Sequence, residues 1–335
     1  MFKKASFKEA FLFRNFRHDY NYSNMKVALF GATGFVGSYI LDSLIDKEFS
    51  PSILIRKKSK DKLSIPNNTN IVLGDIEDLD AIEETMEGAD AVIYNIGIIR
   101  EFPKKRITFN RLHFEGLKNC VDIAEKLKVN RFILMSANGV KKNGTGYQSS
   151  KYQAEEYLKK SKLDYTIFRP SLIFGASKSE KHKEFCIELK KDMLSLPIPA
   201  PLFYKGFSPL NAGKFKLTPI HVKNVADFFV KSINMQEAIG KTYNLGGKKS
   251  FNWSEIIDLI AESSRIKKWK IPAPMLVVIL VAILLDRFKW FPITRGQLVM
   301  LMEGNLVNED FFDKFNISAI AFDAVNLSYL KPEKS

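Results

Sequence analysis

The chain has 335 residues, 46% of them hydrophobic and 26% charged. Those proportions exclude wholesale disorder and leave room for one large α/β domain or a core domain with a smaller lobe. The net charge of +14 asks for an acidic partner, and since no nucleic-acid motif accompanies it, a phosphorylated ligand or an anionic surface is expected. Cys120 and Cys186 stand far apart with no CxxC spacing, so reduced thiols in a cytosol-like compartment and no bound metal are expected.

Residues 1–24 interleave Lys3, Lys4, Lys8, Arg14 and Arg17 with Phe2, Phe7, Phe11, Phe13 and Phe16. This basic, aromatic extension lacks the apolar core of a secretory signal. It reads as a surface-docking extension, with a transit segment or an over-long start before Met25 as alternatives. Residues 27–30 then form a short apolar run that predicts a buried parallel strand. It leads into Gly31, Gly34 and Gly37, spaced three apart, after which Val36, Ile40, Leu41, Leu44 and Ile45 recur at helical spacing. Strand, glycine turn and helix in this order build a pyrophosphate cradle, because the turn lets backbone approach the phosphates and the helix N-terminus offers free N–H groups and a positive dipole. Gly31, Thr33, Gly34, Phe35, Val36 and Gly37 are the cradle candidates.

A second strand over 52–55 ends in Arg56-Lys57-Lys58, with no acid before Asp61. A carboxylate there would favour a ribose 2′-OH, whereas bases attract a 2′-phosphate. Arg56 and Lys57 therefore predict NADP(H), with NAD(H) as the alternative. Residues 70–76 predict a third strand, with Asp75 and Ile76 at the adenine edge. Residues 89–97 predict a fourth, with Asn95 and Gly97 beside the cofactor. A crossover helix is expected over 109–127, with Cys120 in its apolar stripe, and a fifth strand over 131–136. Strands alternating with helices give a doubly wound parallel sheet, an α/β Rossmann fold, with a smaller C-terminal lobe.

Tyr147 and Lys151 open the next helix four residues apart, on one face. A lysine ammonium beside the phenol is expected to lower its pKa, fitting it to pass a proton as hydride moves to or from a nicotinamide. Ser136, ending the fifth strand, is the candidate holder of the substrate oxygen. The sixth strand, 165–168, delivers Arg169 and Pro170 to the nicotinamide side.

These motifs carry a resemblance. Gly31-x-x-Gly34-x-x-Gly37, Gly74-Asp75, Tyr147-x-x-x-Lys151, Phe168-Arg169-Pro170-Ser171, Pro219-Ile-His221-Val222-x-x-Val225-Ala226-Asp227 and Thr242-Tyr-Asn244-Leu-Gly246-Gly247 resemble the extended and atypical short-chain dehydrogenase/reductases, the NAD-dependent epimerase/dehydratase-like proteins. Asn95-Ile-Gly97-Ile-Ile-Arg100-Glu101 with Phe109, Asn110 and His113-Phe-Glu-Gly116-x-x-Asn119 look closest to the nucleotide-binding accessory subunit of respiratory complex I and its bacterial relatives. The resemblance implies that Asn119 positions the active site and its water. It implies an NADPH-dependent oxidoreductase or epimerase or, alternatively, a subunit that holds NADPH without turning it over. A peripheral location on the cytoplasmic face of the inner membrane follows, or the matrix side in a mitochondrion.

The expected organisation is the extension 1–24, a nucleotide-binding domain over 25–175, and a substrate or docking lobe over 176–335 from which 219–247 returns to the core sheet. In that lobe residues 222–234 and 253–263 predict helices, Asn252 and Glu255 an N-cap pair, and His221 a structural role. Residues 273–285 are uninterrupted apolar sequence between Arg265, Lys267, Lys268, Trp269 and Lys270 on one side and Arg287, Lys289 and Trp290 on the other. At about 20 Å as a helix the run is too short to span a bilayer core of about 30 Å. It predicts a helix lying on an anionic membrane surface or docking on subunits of a respiratory complex, with a buried helix as the alternative.

Overall fold

A computed structural model describes residues 25–57, 59, 68–180, 182–206, 208–285 and 294–332, without the side chains of 281–285. The 1–24 extension, Lys58, and the bases and tryptophan at 287–290 lie outside these residues.

Six strands run in chain order through the first half: β1 (Lys26–Phe30), β2 (Ser50–Ile55), β3 (Asn70–Leu73), β4 (Ala91–Tyr94), β5 (Arg131–Met135) and β6 (Asp164–Pro170). A later strand, Lys241–Leu245, completes a seven-stranded sheet in which it pairs with β6, followed by β5, β4, β1, β2 and β3. Every pairing is parallel. Strands covered on both faces read as near-continuous apolar runs, as β1 (KVALF) and β4 (AVIY) do. Alternate side chains leave opposite faces, so Val27 and Leu29 join one core and Ala28 and Phe30 another. The first core is closed by helix α1 (Phe35–Asp46) and by helix Val222–Ser232; the second by α2 (Leu79–Met86), α3 (Gly116–Leu127) and α4 (Gly146–Lys160). The strand order reverses between β1 and β4, which opens a crevice at their carboxyl ends, where ligands of such sheets bind.

The expected 109–127 helix is divided: Asn110–Glu115 is a π-helical turn that precedes α3. The Tyr94 hydroxyl donates to the Leu112 carbonyl at 2.6 Å, and a Cβ at Gly116 would lie 2.6 Å from the same hydroxyl. The buried tyrosine thus sets the path of the turn.

A third core gathers around the buried Trp253 in the second lobe. Asn252 caps helix Trp253–Ser263 in a capping box with Glu255, as the sequence predicts. The 273–285 expectation needs correction at its start. Lys270–Pro274 is a strand paired in parallel with Ala200–Tyr204, and the helix covers only Met275–Leu285. Pro272 and Pro274 account for this, since a helix interior excludes proline and an edge strand tolerates it. Among the described residues no helix is long and apolar enough to cross a membrane.

Candidate functional site

The crevice is lined first by the glycine turn. Gly31 has φ +97°, and a Cβ there would meet the Asn95 carbonyl oxygen at 2.8 Å. A Cβ at Gly37 would lie 2.0 Å from the Gly31 carbonyl oxygen, so backbone packs on backbone and any side chain would force the turn apart. Gly34 is the N-cap of α1 and provides no side-chain cap. The first amides of α1 therefore keep their donors for a ligand, and the cradle fits a dinucleotide pyrophosphate. Thr33, Phe35 and Val36 complete the turn, and the Thr33 carbonyl meets His182 Nε2 at 3.1 Å. On the other side of the crevice the Asn95 amide donates to the Phe30 carbonyl at 2.9 Å, which fixes Asn95 and Gly97 at the mouth of β4.

Arg56 and the exposed Lys57 follow directly on β2, at the far end of the cradle. The Asp75 carboxylate after β3 accepts the Ile76 N–H at 2.8 Å and lies 3.4 Å from the Arg111 guanidinium. Arg111 also pairs with Glu77.

Tyr147 stands in the first turn of α4, which Thr145 and Gln148 close with a capping box. Its ring packs edge-on against His113 at 5.2 Å and Phe109 at 5.7 Å. The Lys151 side chain follows on the same face and is buried. Its ammonium donates to the Met135 carbonyl at 2.8 Å. A Cβ at Gly97 would come within 3.6 Å of that ammonium, so Lys151 bridges the ends of β4 and β5. Burial lowers the Lys151 ammonium to about 8, against the pull of Glu155. The expected lowering of the phenol is absent: burial is the cause acting on Tyr147, and it pushes the hydroxyl up to about 12.

Three further expectations change. Ser136 does not present its hydroxyl to a substrate oxygen; it donates to the fully buried Glu155. Arg169 turns Nε and Nη2 of its guanidinium onto both oxygens of the same carboxylate. Asn119, expected to position the active site and its water, donates to the Ile76 carbonyl at 3.1 Å and so braces α3 against the loop after β3. Pro170 ends β6 in register with Leu245, and its carbonyl accepts the Asn138 N–H at 3.0 Å.

The site also contains a residue that motif reading used only for resemblance. His113 is buried; its Nε2 lies 3.1 Å from the Ile98 amide and its Nδ1 2.9 Å from the Ser150 hydroxyl. The backbone amide can only donate, so Nε2 accepts and the proton sits on Nδ1. Burial, with the neighbouring Lys151 charge, drives this imidazole down to about 2. It is a neutral strut beneath Tyr147. A sequence trace of the Glu155 network did exist: Tyr147, Lys151 and Glu155 recur at i, i+4 and i+8 on one stripe of α4.

Residues 31–190 match the NAD(P)H-binding family. The chain is 24% identical over 274 residues to the mitochondrial NADH-ubiquinone oxidoreductase 40 kDa subunit of Neurospora crassa, covering 80% of this chain and 68% of that subunit. It is 24% identical over 267 residues to the photosystem II assembly factor Ycf39 of Guillardia theta, covering 79% of each. Its fold superimposes on UDP-glucose 4-epimerase of Thermotoga maritima with a TM-score of 0.67 at 14% identity, over 91% of this chain and 97% of that one. The resemblance read from the motifs is borne out, and the matched residues begin at Gly31 of the glycine turn. Among the described residues no His, Cys, Asp and Glu cluster suited to a metal is present.

Proposed function

We propose that this NAD(P)H-binding protein holds NADPH as a non-catalytic accessory or assembly subunit of a respiratory complex, peripheral to the membrane. The observation that carries this reading is the commitment of the Ser136 hydroxyl to Glu155, whose carboxylate also pairs with Arg169. A reductase of this type needs a hydroxyl beside the tyrosine to hold the reacting oxygen, and here that hydroxyl is a structural donor. The phenol at about 12 points the same way, since an acid/base works best with a pKa near the working pH. The relatives named as a complex I subunit and an assembly factor agree with it. A nicotinamide supplies hydride chemistry when bound; in this reading the chain's own residues orient and enclose the nucleotide, and its binding stabilises the fold.

The test uses two substitutions in the full chain. Gly34→Asp places a carboxylate at the α1 N-cap, where Asp is a favourable residue; its Cβ would stand 3.3 Å from the Gly31 carbonyl oxygen, a close contact that a shift of a few tenths of an ångström relieves. It is expected to exclude the pyrophosphate by charge while the fold stands, and to deplete the native assembly solubilised from membranes in mild detergent. Tyr147→Phe is expected to leave both nucleotide and assembly intact. Migration of the native protein as a free monomer or small oligomer, or loss of function in Tyr147→Phe with the nucleotide retained, would overturn the reading. Changing Arg56 to Asp and Lys57 to Ser is expected to weaken NADPH relative to NADH by about tenfold or more, the effect of one lost charge-assisted contact of about 1.5–3 kcal/mol; equal affinities before and after would remove the 2′-phosphate argument.

A second reading, an NADPH-dependent oxidoreductase or epimerase with Tyr147 as acid/base and Lys151 as its activator, is favoured by one observation. A cleft of about 420 Å³ lies between Thr145 at the head of α4 and helix Arg295–Glu303, lined by Lys141, Arg295 and Glu303, two residues from Tyr147. In that reading it takes the substrate, and Tyr147→Phe abolishes turnover.

A further inference from the structure

The second lobe carries an apolar face that the nucleotide role does not use. Helix Met275–Leu285 turns Met275, Val278 and Ile279 into the lobe core. Leu276, Val277 and Leu280, at i, i+1 and i+4, stand on its outer side, with Leu276 68% and Leu280 62% exposed. A surface helix ordinarily keeps that side polar. The exposure continues on neighbouring segments. Trp269, 81% exposed, passes its carbonyl to the Ala200 amide at the start of the two-stranded ribbon, and Ile271 extends outward from the same strand. The Lys268 ammonium donates to the Leu194 and Leu196 carbonyls, which holds the loop of exposed Leu196 and Ile198 beside them. The turn Pro209–Asn211, with exposed Leu210, packs on the same ribbon. Most of the large apolar side chains exposed among the described residues therefore share one edge of the molecule, and a contiguous patch of this kind marks an interaction site.

We propose that this edge docks on an anionic lipid surface. Charge selects lipid over a second protein: between Ser264 and Leu285 the sequence has four bases and no acid, and although Lys270 pairs with Asp258 and Lys268 holds two carbonyls, Arg265 and Lys267 are exposed beside the patch. Bases that flank apolar side chains, with a tryptophan at the boundary, match the layering of a bilayer's headgroup region. The 11 described residues of the helix span about 16 Å, short of a bilayer core, which suits insertion into one leaflet. The proposal rests on the peripheral location above but not on the fate of Tyr147; it names the surface and the lipid charge.

The experiment is vesicle sedimentation of the full chain, with phosphatidylcholine alone and with phosphatidylcholine mixed with phosphatidylglycerol. The protein is expected to sediment with the mixed vesicles and at least tenfold less with the neutral ones. Leu276→Ser with Leu280→Ser is expected to abolish sedimentation. Arg265→Gln with Lys267→Gln is expected to weaken it about fivefold per base, the ~1 kcal/mol each contributes at an anionic surface. NADPH binding measured on each variant shows that the nucleotide half is folded, and its loss in every protein would strike the nucleotide reading, not this one. Sedimentation unchanged in the leucine pair would assign lipid binding to another part of the chain and overturn the proposal. So would equal binding to neutral and anionic vesicles, or a vesicle-free dimer that the leucine pair dissociates.

Discussion

Glu155 is the side chain on which the candidate site turns. It has no exposure, and it accepts from the Ser136 hydroxyl and from Nε and Nη2 of Arg169. Lys159 stands 3.5 Å away. Removing one partner of a buried ion pair leaves a desolvated charge and costs about 3–5 kcal/mol, whereas removing one neutral donor costs about 1 kcal/mol. Glu155→Ala is therefore expected to lower the unfolding free energy severalfold more than Ser136→Ala, as read by chemical denaturation. Equal small losses would mean that the network is dispensable, and Ser136 would regain its candidacy as oxygen holder. His113 answers to the same logic: its ring is neutral because it is buried, and it holds Tyr147 by contact.

At the scale of elements, α4 connects the two halves. Thr145 accepts the Gln148 N–H at 3.3 Å, and the Gln148 side chain returns to the Thr145 N–H at 2.9 Å. The same Gln148 amide donates to the Gly139 carbonyl and to Glu303 in the second lobe, while Lys141 pairs with Glu303. Thr145→Ala is expected to cost about 1 kcal/mol, the usual loss for a missing N-cap, and to loosen the cleft at Arg295; a thermal melt compares the two proteins. Much of this layout was legible in the chain. The strands, the glycine turn and the Asn252–Glu255 cap follow from local spacing, because a parallel sheet buried on both faces writes itself as apolar runs. What was not legible depends on long-range packing. Nothing near Ser136 says that a carboxylate 19 residues on will take its hydroxyl. Nothing near residue 110 says that Tyr94 will shape a π-turn. The prolines at 272 and 274 mark the break between the strand and the helix, against an apolar composition that by itself favours one longer helix.

For the whole molecule, two buried titrating groups oppose each other. His113 in the nucleotide half is driven from 6.5 to about 2, so the folded state binds fewer protons than the unfolded one below about pH 6.5, and that contribution to stability is lost as pH falls. Glu184 in the second lobe is raised from 4.5 to about 7 by burial, so the folded state binds more protons between those values, and its contribution grows as pH falls from 7 to 4.5. A shift of one pH unit corresponds to at most about 1.4 kcal/mol per group; His221, lowered to about 4 by burial, adds to the loss on acidification, so from pH 7 to 5 Glu184 offsets only part of the two histidine contributions. Glu184→Gln is expected to steepen the loss of stability on acidification and His113→Gln to reduce it, as read by denaturation at pH 7 and 5. Parallel profiles in both variants would show that neither group titrates on unfolding. The sheet has its own consequence for the order in which the protein is made. Strand Lys241–Leu245 closes the edge at β6, and helix Val222–Ser232 covers the core beside α1, yet both are translated after the loops and helix that begin the second lobe. A nascent chain that has just finished β6 still lacks a neighbour for that strand and a cover for the α1 side, so the nucleotide-binding half must wait, with an open edge, for about 70 further residues, a delay that at ordinary synthesis rates of about 5–20 residues per second lasts several seconds and makes the growing sheet a natural client of whatever shields exposed strands in the cell.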